Sequence, residues 1–160
     1  MATSTLIQYL ETEQKDGFGA TVAVGAATMN RRQTEIFLAG EAVLVGDCVS
    51  LDLSQAADGD KAVHIVKADS GTATDRCPVG VVLRSAENDG SLAAGSRIEV
   101  VVRGVCEANV AAHAAGDVLG MTAVPGQLDT VAAATDAQVA IGIDGAGAPG
   151  LATVYVRGAF

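Results

Sequence analysis

Val100-Val101-Val102-Arg103-Gly104 is answered near the end of the chain by Val154-Tyr155-Val156-Arg157-Gly158. Upstream of each copy, in the same order, stand a Gly-Asp pair opening an apolar run (Gly46-Asp47, then Gly116-Asp117) and a Val/Ile-Gly-Val/Ile run (Val79-Gly80-Val81, then Ile141-Gly142-Ile143). Three short signals recurring in one order mean that one β unit is used twice. The Gly-Asp pair has a local mechanism: Gly46 admits positive φ, and the Asp47 carboxylate can accept from backbone amides that follow it.

Between these signals the chain alternates short apolar runs with turn residues. In residues 45–53, Val49, Leu51 and Leu53 share one face while Cys48, Ser50 and Asp52 share the other, the period of a half-buried strand. A hairpin-like turn is expected at Ala57-Asp58-Gly59-Asp60, a loop at Ser70-Gly71-Thr72, and turns at Asn88-Asp89-Gly90-Ser91 and Pro125-Gly126-Gln127. Further strands are expected over 63–67, 79–83, 98–103, from Val118, over 128–131, 139–143 and 151–156. The Ala-rich stretches 108–115 and 132–137 fit a helical turn as readily as a strand. Spacing this regular predicts an all-β fold, a compact sandwich or barrel-like domain over residues 39–160. Residues 1–38 read as an extended N-terminal arm, with a short helix near 4–13 and apolar patches that lack a core of their own.

Composition limits the function classes. The 160 residues suffice for one domain, but aromatics are only 3%, so Val, Ile, Leu and Ala must supply the burial. Small side chains bury less area each, and a homo-oligomer would add burial. The net charge of −9 opposes direct contact with nucleic acid, which needs a basic stripe. No apolar run approaches a membrane span. Cys48, Cys77 and Cys106 are odd in number, widely spaced and without a Cys-x-x-Cys pair, as expected of buried free thiols in a reducing compartment.

Reactive groups do not cluster in the sequence. His64 and His113 have no adjacent partner that would make them ligands or bases. Gly145-Ala146-Gly147-Ala148-Pro149-Gly150 fits the dinucleotide fingerprint literally, yet a strand follows it instead of the helix whose N-terminus would meet the pyrophosphate, so it reads as a connection. Asp58-Gly59-Asp60 offers too few oxygens for Ca²⁺. No catalytic residue, metal ligand or cofactor is nominated. A carbohydrate- or receptor-binding β module would need exposed aromatic platforms, and five aromatics in the chain leave little material for them. A trimeric nucleotide hydrolase of the deoxyuridine triphosphatase type finds only an echo in Ile141-Gly142-Ile143-Asp144.

Asn30-Arg31-Arg32-Gln33-Thr34-Glu35-Ile36-Phe37-Leu38-Ala39-Gly40, Gly46-Asp47, Ala68-Asp69-Ser70-Gly71-Thr72-Ala73-Thr74, Val79-Gly80-Val81, Gly116-Asp117 and the terminal Phe160, taken in order, resemble the small capsid decoration (cement) proteins of tailed bacteriophages. The resemblance implies a non-enzymatic virion protein, made in the host cytoplasm and bound to the capsid exterior. Its partner would be the major capsid protein, and its state a homo-oligomer, a trimer being favoured, without a cofactor. Arg31, Arg32, Ile36 and Phe37 are then the capsid-contact candidates, on an arm strand within residues 20–38 that pairs with a sheet edge.

Overall fold

The structure, a computed structural model, describes residues 32–87, 89–131 and 138–157. Strands dominate: β1 (Arg32–Ala39), β2 (Cys48–Leu51), β3 (His64–Lys67), β4 (Pro78–Ser85), β5 (Arg97–Val110), β6 (Val118–Met121), β7 (Leu128–Thr130), β8 (Gln138–Gly142) and β9 (Gly150–Val156). Among the described residues one short helix, α1 (Asp58–Lys61), and one 3₁₀ turn (Ala73–Asp75) interrupt them. The fold is all-β, as expected. The turn anticipated at residues 57–60 is this helix instead, its open end held by the Lys61–Asp58 ion pair at 2.9 Å.

The strands close into two rings. β1, β3, β2, β4 and the first half of β5 form one five-stranded barrel, closed by β1 against β5. The second half of β5 with β7, β6, β8 and β9 forms the other, closed by β9 against β5. The 14-residue β5 therefore serves as last strand of one barrel and first strand of the next. At its middle, Gly104 pairs with Arg32 at the start of β1 on one side and with Val156 at the end of β9 on the other.

The duplication extends to individual hydrogen bonds. Leu44 N–H donates to the Asp47 carboxylate at 2.9 Å and Ala114 N–H to that of Asp117 at 2.8 Å. Each carboxylate thus takes the amide three residues before it, not one that follows. Gly46 and Gly116 both have positive φ, 91° and 90°, and donate to Val82 and Gly142 respectively. Val43 N–H donates to Leu92 O as His113 N–H donates to Ala146 O. The same register irregularity falls after Val49 in β2 and after Leu119 in β6. These bonds make Val82 the counterpart of Gly142 and Val81 that of Ile141. The two Val/Ile-Gly-Val/Ile runs therefore match with a slip of two residues, and the shared glycine is incidental.

Two cores result. Phe37, Ala39, Val43, Val49, Ile65, Val79, Val82, Ile98, Val100 and Val102 fill the first barrel. Ala108, Val110, Leu119, Leu128, Val139, Val154 and Val156 fill the second, and Cys48, Ala68, Val81 and Val101 join that cluster from the outer wall of the first barrel. Burial of a valine contributes about 1.5–3 kcal/mol, so this wall couples the halves strongly. Strand β2 is consequently buried on both faces, Cys48 towards one core and Val49 towards the other, where the sequence suggested a half-buried strand. Ala108, placed in a possible helical turn, lies in β5 because a small inward side chain suits the barrel interior. Residues 132–137, the other Ala-rich stretch, lie outside the described residues.

The expected boundary at residue 38 falls within β1. Residues 32–39 bond β5 over Arg32 to Leu38 and β3 at Leu38 and Ala39, closing the first barrel. These residues are thus strand residues of the barrel, which begins no later than Arg32. The helix expected near 4–13 lies outside the described residues.

Candidate interaction surface

Where the barrels meet, their convex walls leave a crevice of about 390 Å³ lined by Arg32, Val82, Leu83, Val105, Glu107 and Thr153, with Val45 and Cys106 completing it. The second barrel's β6–β7 turn grips the first barrel there through backbone bonds. Cys48 N–H donates to Gly126 O at 2.8 Å, Gly126 N–H to Ala68 O at 3.0 Å, and Ser70 N–H to Thr122 O at 2.8 Å. Gly126 has a φ of +79° and a Cβ there would stand 2.9 Å from the Asp47 carboxyl carbon, so the grip requires glycine.

The rim of this junction is apolar. Leu44 and Val45, ahead of the Gly46 turn, and Leu151 on β9 are all exposed, and Leu151 packs against Gly46, where even a methyl group would collide with it. Because the Gly46 carbonyl accepts from Asn109 N–H at 2.7 Å, these side chains stand on backbone fixed from both barrels.

Of the expected contact residues, Arg32 lines the crevice, and Ile36 stands exposed on the outer face of β1 opposite Glu99. Phe37 is 8% exposed and belongs to the first core, so it is not a surface contact: in β1 it alternates with Ile36 and points inward. Arg31 lies outside the described residues. Leu44, Val45 and Leu151 were not picked out from sequence. The alternation of Leu151, Thr153 and Tyr155 in the last strand was the available signal.

The titratable groups near the junction are held for structure. Burial pushes the Cys106 thiol up to about 12, Arg32 pulling against it and Glu107 adding to it. Burial, with Asp47 and Cys106, does the same to Cys48, also to about 12. Both remain protonated thiols at neutral pH and poor nucleophiles. Asp47 is raised by burial, against the Leu44 amide and the Lys67 ammonium, whose nitrogen lies 4.0 Å away. On the outer wall, burial raises Glu99, but hydrogen bonds from Arg84 and Thr34 outweigh it and hold the carboxyl low.

His113 is buried beside Gly142 of β8 and Ala146. Its Nδ1 lies 3.0 Å from the Ala111 carbonyl, to which it donates. Nε2 is enclosed without a hydrogen-bond partner, and a Cβ on Gly142 would stand 2.6 Å from it. A general base must reach the proton that it removes, and this nitrogen reaches only the strand beside it. The loop at 145–150, the literal glycine fingerprint, connects β8 to β9 and is pinned to His113 through Ala146. Among the described residues no three His, Cys, Asp or Glu side chains converge as a metal site, and no helix is long and apolar enough to cross a membrane.

No family model matches the chain, and no curated protein matches it.

Proposed function

We propose that this chain is a structural protein of a tailed-phage head, a decoration protein that binds the outer surface of the shell and stabilises it by contact instead of turnover. The observation that carries the reading is the rigid apolar rim of Leu44, Val45 and Leu151 beside the Arg32 and Glu107 crevice, presented on backbone tied into both barrels. A preformed rim costs little ordering entropy on binding, and side chains of this kind supply contact area to a flat protein surface. The ordered likeness of the sequence to decoration proteins supplies the partner, the major capsid protein. The net charge of −9 suits a position outside the shell, away from packaged nucleic acid. Many modest contacts on one shell act as a multivalent clamp.

The test mixes purified protein with expanded heads that lack it, counts bound copies, and follows thermal release of the genome. Saturable binding that raises the release temperature is expected, and the double variant Leu44→Glu/Leu151→Glu is expected to bind at least tenfold more weakly. Absence of binding by the wild type refutes the proposal, and unchanged binding by the variant refutes the assigned rim.

A further inference from the structure

The internal repeat marks a second interface. On the first barrel, Cys48, Val81 and Val101 are directly opposed across β2, β4 and β5, and all three are buried where the second barrel covers them. Their register counterparts on the second barrel, Val118, Ile141 and Tyr155, are opposed across β6, β8 and β9 in the same way. This row is partly open: Val118 and Ile141 are half-buried, Tyr155 is 36% exposed, and Ile143, the counterpart of Leu83, is 44% exposed. An outer sheet wall that is fully buried in one copy of the repeat is thus half-covered at most, and still apolar, in the other.

The complementary half is present as well. The first barrel's wall is held by the β6–β7 turn, whose counterpart is the β2–β3 connector. That connector carries two exposed apolar side chains, Leu53 at 40% and Val63 at 43%. We propose that a second copy of this chain docks head to tail, its β2–β3 connector seated at the Val118 edge of the Val118, Ile141 and Tyr155 wall as the β6–β7 turn is bonded at Cys48, the edge of the Cys48, Val81 and Val101 wall. The occupant is chosen by the chain itself, since the repeat supplies both an example of the contact and a free partner for each of its halves. Such an interface is heterologous: every copy offers one wall and one connector, and association closes into a ring where the rotation permits. It is a contact between copies in solution and does not depend on the capsid reading.

Complementation tests it on the full chain. Tyr155→Glu disables the wall and Leu53→Glu the connector, both at exposed positions, with Ile143→Arg and Val63→Glu as second variants and circular dichroism confirming the fold of each. By analytical ultracentrifugation the wild type is expected to be oligomeric and each variant monomeric. An equimolar mixture of a wall variant and a connector variant is expected to give dimers and nothing larger, because one intact interface remains. A monomeric wild type overturns the proposal, including one whose Tyr155 becomes protected only on heads. So do variants that keep the wild-type mass, and so does a mixture that stays monomeric, since self-complementary contact between two walls could not be rescued this way.

Discussion

Replacing Gly142 with Val should damage the protein far less when His113 is replaced with Val as well. In the repeat, Val43 and Val82 occupy the positions of His113 and Gly142, so the two barrels solve one packing problem with different pairs: two valines in the first, an imidazole and a glycine in the second. A Cβ at Gly142 would stand 2.5 Å from His113 Cδ2 and 2.6 Å from Nε2, so the buried ring would have to shift. Overpacking of this kind costs about 1–3 kcal/mol. Removing the ring in His113→Val leaves a void, offset by deleting the unpartnered Nε2, whose burial costs about 1–3 kcal/mol. That single variant should therefore lie near the wild type, within about 1 kcal/mol. The double variant reproduces the first barrel's solution and should recover most of the loss, giving a coupling energy of about 2 kcal/mol. Urea unfolding at pH 7 measures all four corners of the cycle. For a chain of this size 1 kcal/mol moves Tm by about 2–4 °C, so Gly142→Val alone should melt about 2–12 °C early. Additivity within about 0.5 kcal/mol would refute the equivalence of the two pairs.

Gly80→Ala should prevent folding, because its Cβ would run into the Val101 carbonyl oxygen between paired strands, and soluble expression measures this; wild-type solubility would refute the contact. Cys48 and Cys106, with thiols pushed up to about 12 and buried, should resist an aromatic disulfide reagent at pH 8 until the protein unfolds, while the half-buried Cys77 reacts first. Glu99 and Asp47 should respond oppositely to pH. Glu99 is held low in the fold, so its contribution is present above its unfolded pKa and lost as pH falls through the lower folded value: Glu99→Gln should cost about 0.5–1 kcal/mol at pH 7 and progressively less as pH falls below the ordinary glutamate range. Asp47 is raised, so its ionisation weakens the fold as pH rises, and Asp47→Asn, which keeps an acceptor for the Leu44 amide, should flatten the loss between pH 4 and 7 in urea titrations. Deletion of residues 1–38 should unfold the first barrel by removing β1, whereas deletion of 1–31 should leave a cooperative melt.

What could be read in advance was local. Gly46-Asp47 and Gly116-Asp117 mark their turns because positive φ and a short carboxylate act within three residues of chain. The pairing of Val79-Gly80-Val81 with Ile141-Gly142-Ile143 went astray by two residues because alternation has a period of two, and a slip of that size leaves every side chain on its proper face. The place of β1 was hidden for a different reason. Its partner β5 lies far along the chain, and the exposed Glu35 and Ile36 give it no clean alternation. Similarly, nothing near Cys48 or Val101 in sequence announces that a second barrel will cover them, because that burial is decided by docking. Arg32 was legible as a surface cation. Leu44 and Val45 were not, since two apolar residues before a turn look like core until the fold leaves them outside.

Gly104, flanked by Arg32 and Val156, brings both ends of the described domain to the two sides of a single residue. Neighbouring strands stand about 4.8 Å apart, so these ends lie about 10 Å from one another. A linker of a few residues could splice Arg157 to Arg32, and new termini could be opened at the Asp89-Gly90 turn without cutting any strand. A circular permutant of this sort should keep the native architecture, and any cargo joined directly at Arg32 or at Arg157 would depart from the same spot, beside the seam between the barrels.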